Sequence, residues 1–144
     1  QLYATSGAGD FDTAETMLTD DFFIIEAEGL PMAGESRGKR ALRDLYSHVF
    51  GTLKVADLEP EVMTVGGDYV VNMVSFRFED SSLAPAKLAE LFRFRDGKVC
   101  EIRPYYFDPK PIVDAHILYL SFDKPRLIYN IVATQIRKTL KNVN

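Results

Sequence analysis

The sequence has little of the chemistry that most metal and nucleophile sites use. Among its 144 residues there is one cysteine, Cys100, and there are two histidines, His48 and His116. One cysteine cannot form an internal disulfide or a multi-cysteine metal site, and two isolated histidines do not make a metal cluster. Neither a phosphate-binding glycine loop nor a nucleophile elbow occurs. We therefore expect no metal and no cofactor, and we interpret Cys100 as a small buried apolar side chain.

Long apolar runs are also missing. No stretch reaches 18 apolar residues, and the opening QLYATSGAGD lacks the basic and apolar regions of a signal peptide. These absences lead us to expect a cytoplasmic protein that has no membrane partner.

What the sequence does contain is typical of one globular domain. Hydrophobic residues make up 47% and charged residues 26% of the chain. The net charge of −4 is unevenly distributed: residues 109–144 hold six Lys or Arg and two Asp, which gives +4 and leaves −8 for residues 1–108. An acidic body argues against nucleic acid as the main partner.

The order of the predicted elements indicates an α+β fold. An opening segment reads as the end of a helix, Asp12 or Thr13 can cap a short second helix, and Ser36 fits the N-cap of a third. This third helix spans Arg37–Phe50 with a full apolar stripe and ends at Gly51. Strands are predicted at Asp21–Glu28 and at about 55–65, 69–79, 87–95 and 98–107. Helices followed by consecutive strands favour a mainly antiparallel sheet.

Residues 109–144 are predicted to be an extension of a domain formed by residues 1–108. Asp123-Lys124-Pro125 begins a predicted helix at about 125–141, which carries an apolar stripe. Its polar face is not strongly basic, so packing on its own domain or on a sister subunit is favoured over membrane binding. We expect the domain to fold without this extension, because the sheet already ends at Phe107.

The final hairpin carries the most unusual residue, Glu90, which alternation places on one face with large apolar side chains. A tight turn at Asp96-Gly97 sets Glu90 opposite Arg103 as an ordinary ion pair. A three-residue loop with a glycine bulge sets it opposite Ile102 instead. We favour the second register because it sorts apolar and charged residues more cleanly between the faces. That register gathers Leu88, Phe92, Phe94, Cys100, Ile102, Pro104 and Tyr106 on the face of Glu90. With no cation opposite, burial should raise the pKa of Glu90 above its ordinary value of about 4.3.

Three segments carry a resemblance to a known superfamily: GDFDTAETMLTDDFFIIE, GLPMAGESRG before RALRDLYSHVF, and LFRFRDGKVCEIRPYYFD. Through them, residues 2–108 resemble the nuclear transport factor 2-like superfamily, in particular its SnoaL-like and ketosteroid isomerase-like members. The resemblance implies a cone-shaped α+β barrel, in which a curved sheet surrounds the long helix and a pocket lies at the open end. It also implies a homodimer. Because the fold hosts enzymes and non-enzymes alike, it implies an architecture more strongly than an activity.

The resemblance gives roles to the positions that match. In ketosteroid isomerases the general base is an Asp on the first strand, where this chain has Glu26, and a protonated Asp of the oxyanion hole corresponds to Glu90. A supporting Tyr on the long helix matches Tyr46. The principal Tyr aligns with Leu2 and is lost, and Tyr3 is expected to point elsewhere. This departure argues against steroid-type isomerisation.

We therefore predict a pocket in which Glu26, nearer water, is an ionised base and Glu90 a protonated acid. The predicted substrate-contacting residues are Tyr46, Phe50, Met63, Phe92, Ile102 and Tyr106. Several of these residues have a plainer interpretation. Phe50, Met63, Phe92 and Tyr106 can be core residues, Glu26 a solvent-exposed strand-end carboxylate, and Glu90 an Arg-paired structural carboxylate.

Two functions are compatible with this pattern. The first is a small cofactor-independent enzyme that moves a proton on an apolar carbonyl compound, as an isomerase, dehydratase or cyclase. The second is a non-catalytic binder of an apolar small molecule, or a dimeric scaffold of the same fold. The missing oxyanion Tyr favours the binder, and two carboxylates at matching positions favour the enzyme.

Overall fold

The computed structural model describes residues 1–121 of the chain, and in them a curved, open sheet of six strands packs on one long helix. The helices are α1 (Leu2–Gly7), α2 (Phe11–Thr16), α3 (Ala41–Leu53) and α4 (residues 110–121). The strands are β1 (Leu18–Glu26), β2 (Gly34–Arg37), β3 (Val55–Gly66), β4 (Tyr69–Phe78), β5 (Ala86–Arg95) and β6 (Lys98–Tyr106). This confirms the predicted α+β cone.

The sheet has the strand order β2-β1-β6-β5-β4-β3. Strands β3 to β6 form an antiparallel meander, and β1 joins its last strand in the parallel sense. The first strand therefore lies beside the final hairpin, although most of the chain separates them in sequence. This pairing brings the end of β1 next to β6.

Two clusters of buried side chains fill the concave side of the sheet. One joins β1, the first turn of α3, β5 and β6, with Phe22 and Ile102 among its most buried members. The other joins the last turns of α3 to β4 and β5, with Leu53 and Leu88 at its centre. Because α3 contributes to both clusters, it is the element around which the sheet curves.

The sequence-based boundaries of two helices are wrong. Helix α2 takes Asp10 as its N-cap, and the Asp10 carboxylate accepts a hydrogen bond from the Thr13 N–H at 3.1 Å. Ser36, predicted as the N-cap of the long helix, lies instead in β2, which pairs antiparallel with the free edge of β1. The chain then turns at Gly38, whose φ of 88° suits glycine, and α3 begins at Ala41. Gly51 does not end this helix, which runs to Leu53.

The extension begins as part of the core. Helix α4 places Ile112 and Ala115 in the second cluster, both with no exposed surface. This packing argues against the expectation that the domain folds without residues beyond Phe107, which stays a prediction. The boundary between residues 108 and 109 stays a prediction, and the helix predicted at about 125–141 lies outside the described residues. No helix within residues 1–121 is long and apolar enough to cross a membrane.

Ile112→Ala should lower the free energy of unfolding by about 2–5 kcal/mol, because it removes buried methylene groups and leaves a cavity under α4. Ile117→Ala is the matched control, since Ile117 lies on the same helix and is 60% exposed. Urea unfolding followed by circular dichroism measures both. An Ile112 variant as stable as the Ile117 variant would show that α4 is dispensable for the core.

The hairpin register differs from both sequence-based alternatives. The turn is tight, with Asp96 and Gly97 at φ values of 53° and 75° and Arg95 paired with Lys98. A bulge then leaves Cys100 unpaired, so that Glu90 lies opposite Pro104 rather than Arg103 or Ile102. The predicted cross-strand partner of Glu90, Ile102, is therefore wrong. The predicted face is nevertheless correct, because Leu88, Glu90 and Phe92 share it with Ile102, Pro104 and Tyr106.

Candidate functional site

Two carboxyl groups face the same cavity on the concave side of the sheet. Glu26 is the last residue of β1, and Glu90 lies in the middle of β5. The cavity has a volume of about 40 Å³. Its wall is otherwise mostly apolar and consists of Ile24, Met32, Leu42, Leu45, Tyr46, Val49, Phe50, Leu58, Phe76 and Tyr106. Neither carboxyl group forms an ion pair within residues 1–121.

Glu26 is held by Tyr106 of β6. The Tyr106 hydroxyl donates a hydrogen bond to Glu26 Oε2 at 2.9 Å. Glu26 is only 6% exposed, and burial raises its pKa to about 7 while the Tyr106 hydrogen bond opposes the rise. The expectation that Glu26 lies near water is therefore wrong, whereas its role as the ionised base stays a prediction. Burial and the charge of Glu26 also raise the pKa of Tyr106, so this phenol stays protonated and remains a donor.

Glu90 is held by Tyr3 of α1. The Tyr3 hydroxyl donates a hydrogen bond to Glu90 Oε2, and its ring packs edge-on against Phe92 with 5.5 Å between centroids. Tyr3 was expected to point away from the pocket, and this expectation is wrong. Glu90 is half-buried. Burial raises its pKa to about 7, in the direction predicted from the sequence.

Burial raises the pKa of both carboxyl groups to about 7, and two like charges that face one small cavity disfavour each other. A state with one ionised and one neutral carboxyl group is therefore accessible near neutral pH. Such a pair can remove a proton at one point of a ligand and supply one at another.

The cavity is the inner part of a larger opening. A groove of about 480 Å³ lies outside it and shares Tyr46, Phe50 and Leu58 with the cavity wall. A third space of about 20 Å³ lies behind Glu90, and Tyr46 borders it as well. The Tyr46 ring stacks on Phe50 with 5.3 Å between centroids, and burial raises the pKa of Tyr46 to about 12. Tyr46 thus stands where all three spaces meet, as a neutral phenol.

The structure distributes the eight predicted site residues over these three spaces. Glu26, Glu90, Tyr46, Phe50 and Tyr106 line the inner cavity. Phe92 and Ile102 line the small space behind Glu90, and Met63 lies on the wall of the outer groove. Their roles toward a ligand stay predictions, but each of the eight borders one of three spaces that share Tyr46 as a lining residue.

Sequence reasoning missed two polar residues at this opening. Tyr3 was assigned to the wrong side because its helix has only six residues, too few to show a periodic pattern. Asn72 lies on β4 opposite Glu90 and is almost fully buried. In the strand segment VVNMVSF, Asn72 occupies a position among apolar residues. A polar residue at such a position is a sequence signal that could have identified it.

The chain is similar to one described protein family. The family model for the SnoaL-like domain matches residues 1–102. A search of curated proteins finds no significant match.

Solved structures share the architecture. A nuclear transport factor 2-like protein of unknown function from Burkholderia xenovorans LB400 has 27% identity and a TM-score of 0.60, covering 75% of this chain and 78% of its own. The structure of TerC co-crystallised with polyporic acid has 19% identity and a TM-score of 0.67, covering 80% and 92%. A putative polyketide cyclase from Sinorhizobium meliloti has 20% identity and a TM-score of 0.57, covering 72% and 90%. At such identities the last two show the fold alone.

Proposed function

Because the chain belongs to the SnoaL-like domain family, we propose that it is a small cofactor-independent enzyme that moves a proton on an apolar carbonyl compound, as an isomerase, dehydratase or cyclase does. The observation that carries the proposal is the pair of buried carboxyl groups with raised pKa values, Glu26 and Glu90, in one apolar cavity. Such environments are typical of acid–base catalysts that operate near neutral pH.

Each carboxyl group accepts a hydrogen bond from a tyrosine hydroxyl, so these contacts alone do not divide the roles. We assign Glu26 as the base because it occupies the position that matches the general base of ketosteroid isomerases. It takes a proton from the carbon next to the carbonyl group, and the electron pair of that C–H bond moves toward the carbonyl oxygen. Neutral Glu90 donates a hydrogen bond or its proton to this oxygen. Where the compound carries a carbon–carbon double bond beside the deprotonated carbon, Glu26 returns the proton to the far carbon of that double bond. The carbonyl group re-forms, its oxygen returns any proton to Glu90, and the double bond has moved by one position with no oxidant or reductant.

The names of two similar structures support an enzyme or binder of small organic molecules. One is described as a putative polyketide cyclase, and the other was co-crystallised with a small organic acid, polyporic acid. Both concern small organic molecules, which suits an apolar opening with few polar groups.

A second candidate function is a non-catalytic binder of an apolar small molecule. Its support is the small volume of the inner cavity, about 40 Å³, which leaves most of a drug-sized ligand in the outer groove and away from Glu26. A binder of this kind would hold its ligand without moving a proton.

Deuterium exchange distinguishes the two functions. The probe is 2-acetonaphthone, an apolar ketone whose methyl protons lie next to the carbonyl group. In heavy water the enzyme should replace these protons faster than buffer does, as followed by proton NMR. Binding of the ketone with exchange no faster than in buffer would favour the binder.

We also propose that the protein is a homodimer formed through the outer face of the sheet. Arg93 is exposed and Arg103 is half-buried on that face, and both contact the carboxylate of Glu101, which is itself buried. Such a polar sheet face suits an interface that pairs charges with a second copy. Light scattering at micromolar concentration should give twice the chain mass of 16.3 kDa. A mass equal to that of one chain would contradict the proposal.

A further inference from the structure

Asn72 has a buried amide group with no partner. The residue is 1% exposed, and neither its Oδ1 nor its Nδ2 forms a hydrogen bond within residues 1–121. Buried side-chain amides in folded proteins are almost always hydrogen-bonded, because an unpaired buried polar group opposes folding. An amide with both its acceptor and its donors unpaired is therefore a sign of a partner that residues 1–121 do not supply.

The position of Asn72 indicates where that partner comes from. Asn72 lies on the concave face of β4, paired with Glu90 of β5 on one side and with Met63 of β3 on the other. It also belongs to the wall of the outer groove, together with Met63 and Tyr46. The amide atoms themselves are covered, so the Asn72 side chain must turn toward the groove to meet a molecule that enters it.

The neighbouring carboxyl group does not meet this need. Glu90 Oε2 accepts its hydrogen bond from Tyr3, and no hydrogen bond joins Glu90 to Asn72. Around Asn72 the same face of β4 carries apolar Val70, Val74 and Phe76. A leucine of nearly the same size would fit the packing of this face, so packing does not explain an asparagine.

We propose that Asn72 is a positioning residue that fixes the polar edge of the bound compound, by donating one hydrogen bond and accepting another. The ligand class is an apolar ring compound that carries a carbonyl group beside an O–H or N–H group. The amide then holds the carbonyl group at the inner end of the groove, next to Glu90. This inference rests on the proposed function in one respect, that the opening takes an apolar carbonyl compound.

The first test needs no ligand. Asn72→Leu removes the unpaired amide and should raise the melting temperature of the free protein by about 3 °C or more. Ser75→Ala is the control, because Ser75 is also a buried polar residue of β4 but lies on the opposite face. A lower melting temperature for Asn72→Leu than for the natural protein would overturn the proposal, since it would show that the amide is paired within the fold.

The second test uses two probes of the same shape. 2-Naphthamide offers a donor and an acceptor, whereas 2-acetonaphthone offers an acceptor alone. Isothermal titration should show about tenfold tighter binding of the amide to the natural protein and to Ser75→Ala, and no preference in Asn72→Leu. A preference that persists in Asn72→Leu would overturn the proposal. If the proposed function is wrong but this inference is right, the result is different. The natural protein would then keep the preference for the amide but would not accelerate deuterium exchange in the ketone.

Discussion

Glu26→Gln should reduce the rate of deuterium exchange into 2-acetonaphthone at least about 100-fold, because a glutamine side chain cannot accept a proton from carbon. The substitution keeps the size of the side chain and an oxygen that can accept a hydrogen bond from the Tyr106 hydroxyl, so the cavity should keep its shape. The initial rate is measured by proton NMR at pH 8, where the natural Glu26 is mostly ionised.

Glu28→Gln is the matched control for this experiment. Glu28 lies two residues further along the chain, is exposed, and lines neither the inner cavity nor the outer groove. Its variant should exchange the ketone protons at the natural rate. If Glu26→Gln keeps a rate within about twofold of the natural protein, Glu26 is not the base.

Glu90→Gln should make the protein more stable at alkaline pH and leave its stability unchanged in acid. Burial raises the Glu90 pKa from 4.5 to about 7, so the folded protein binds this proton more tightly than the unfolded chain does. The natural protein therefore loses stability as the pH rises from about 4.5 to 7, and the loss is complete above pH 7. At about 1.4 kcal/mol per pKa unit, reduced for water in the cavity, the loss is about 2–3 kcal/mol.

Urea unfolding at pH 4 and at pH 8 measures this difference. The Glu90→Gln variant and the natural protein should have equal free energies of unfolding at pH 4, and the variant should be the more stable at pH 8. Glu28→Gln controls for the change in net charge. Equal stabilities at both pH values would show that the Glu90 carboxyl group is not buried in the way the structure describes.

The face of Glu90 could be predicted from the sequence because alternation along a strand needs no knowledge of its partner. The partner itself could not. Two residues with positive φ, Asp96 and Gly97, allow a tight turn, and the bulge at Cys100 then restores the apolar face. The tight turn considered from the sequence had no irregularity and the glycine bulge placed one at Gly97, whereas the bulge lies at Cys100, inside β6.

Local sequence patterns could not predict contacts between segments that are far apart in the chain. Strand β2 is short and exposed, and its sequence GESR has no apolar alternation, so only the free edge of β1 makes it a strand. Tyr3 reaches Glu90 across 87 residues of sequence. Glu26 was correctly assigned to the pocket side by its parity with Ile24, but its burial depends on Tyr106 and on the far end of α3.

The central claim is that the carboxyl groups of Glu26 and Glu90 face one cavity and that each gains or loses its proton near neutral pH. Carbon-13 NMR of the side-chain carboxyl groups in labelled protein tests it most directly, with signals assigned through Glu26→Gln and Glu90→Gln. Two carboxyl signals should titrate with midpoints near 7, far above the ordinary value of 4.5. A midpoint at or below 4.5 for either residue would contradict the account, because that carboxyl group would be a permanent anion near neutral pH.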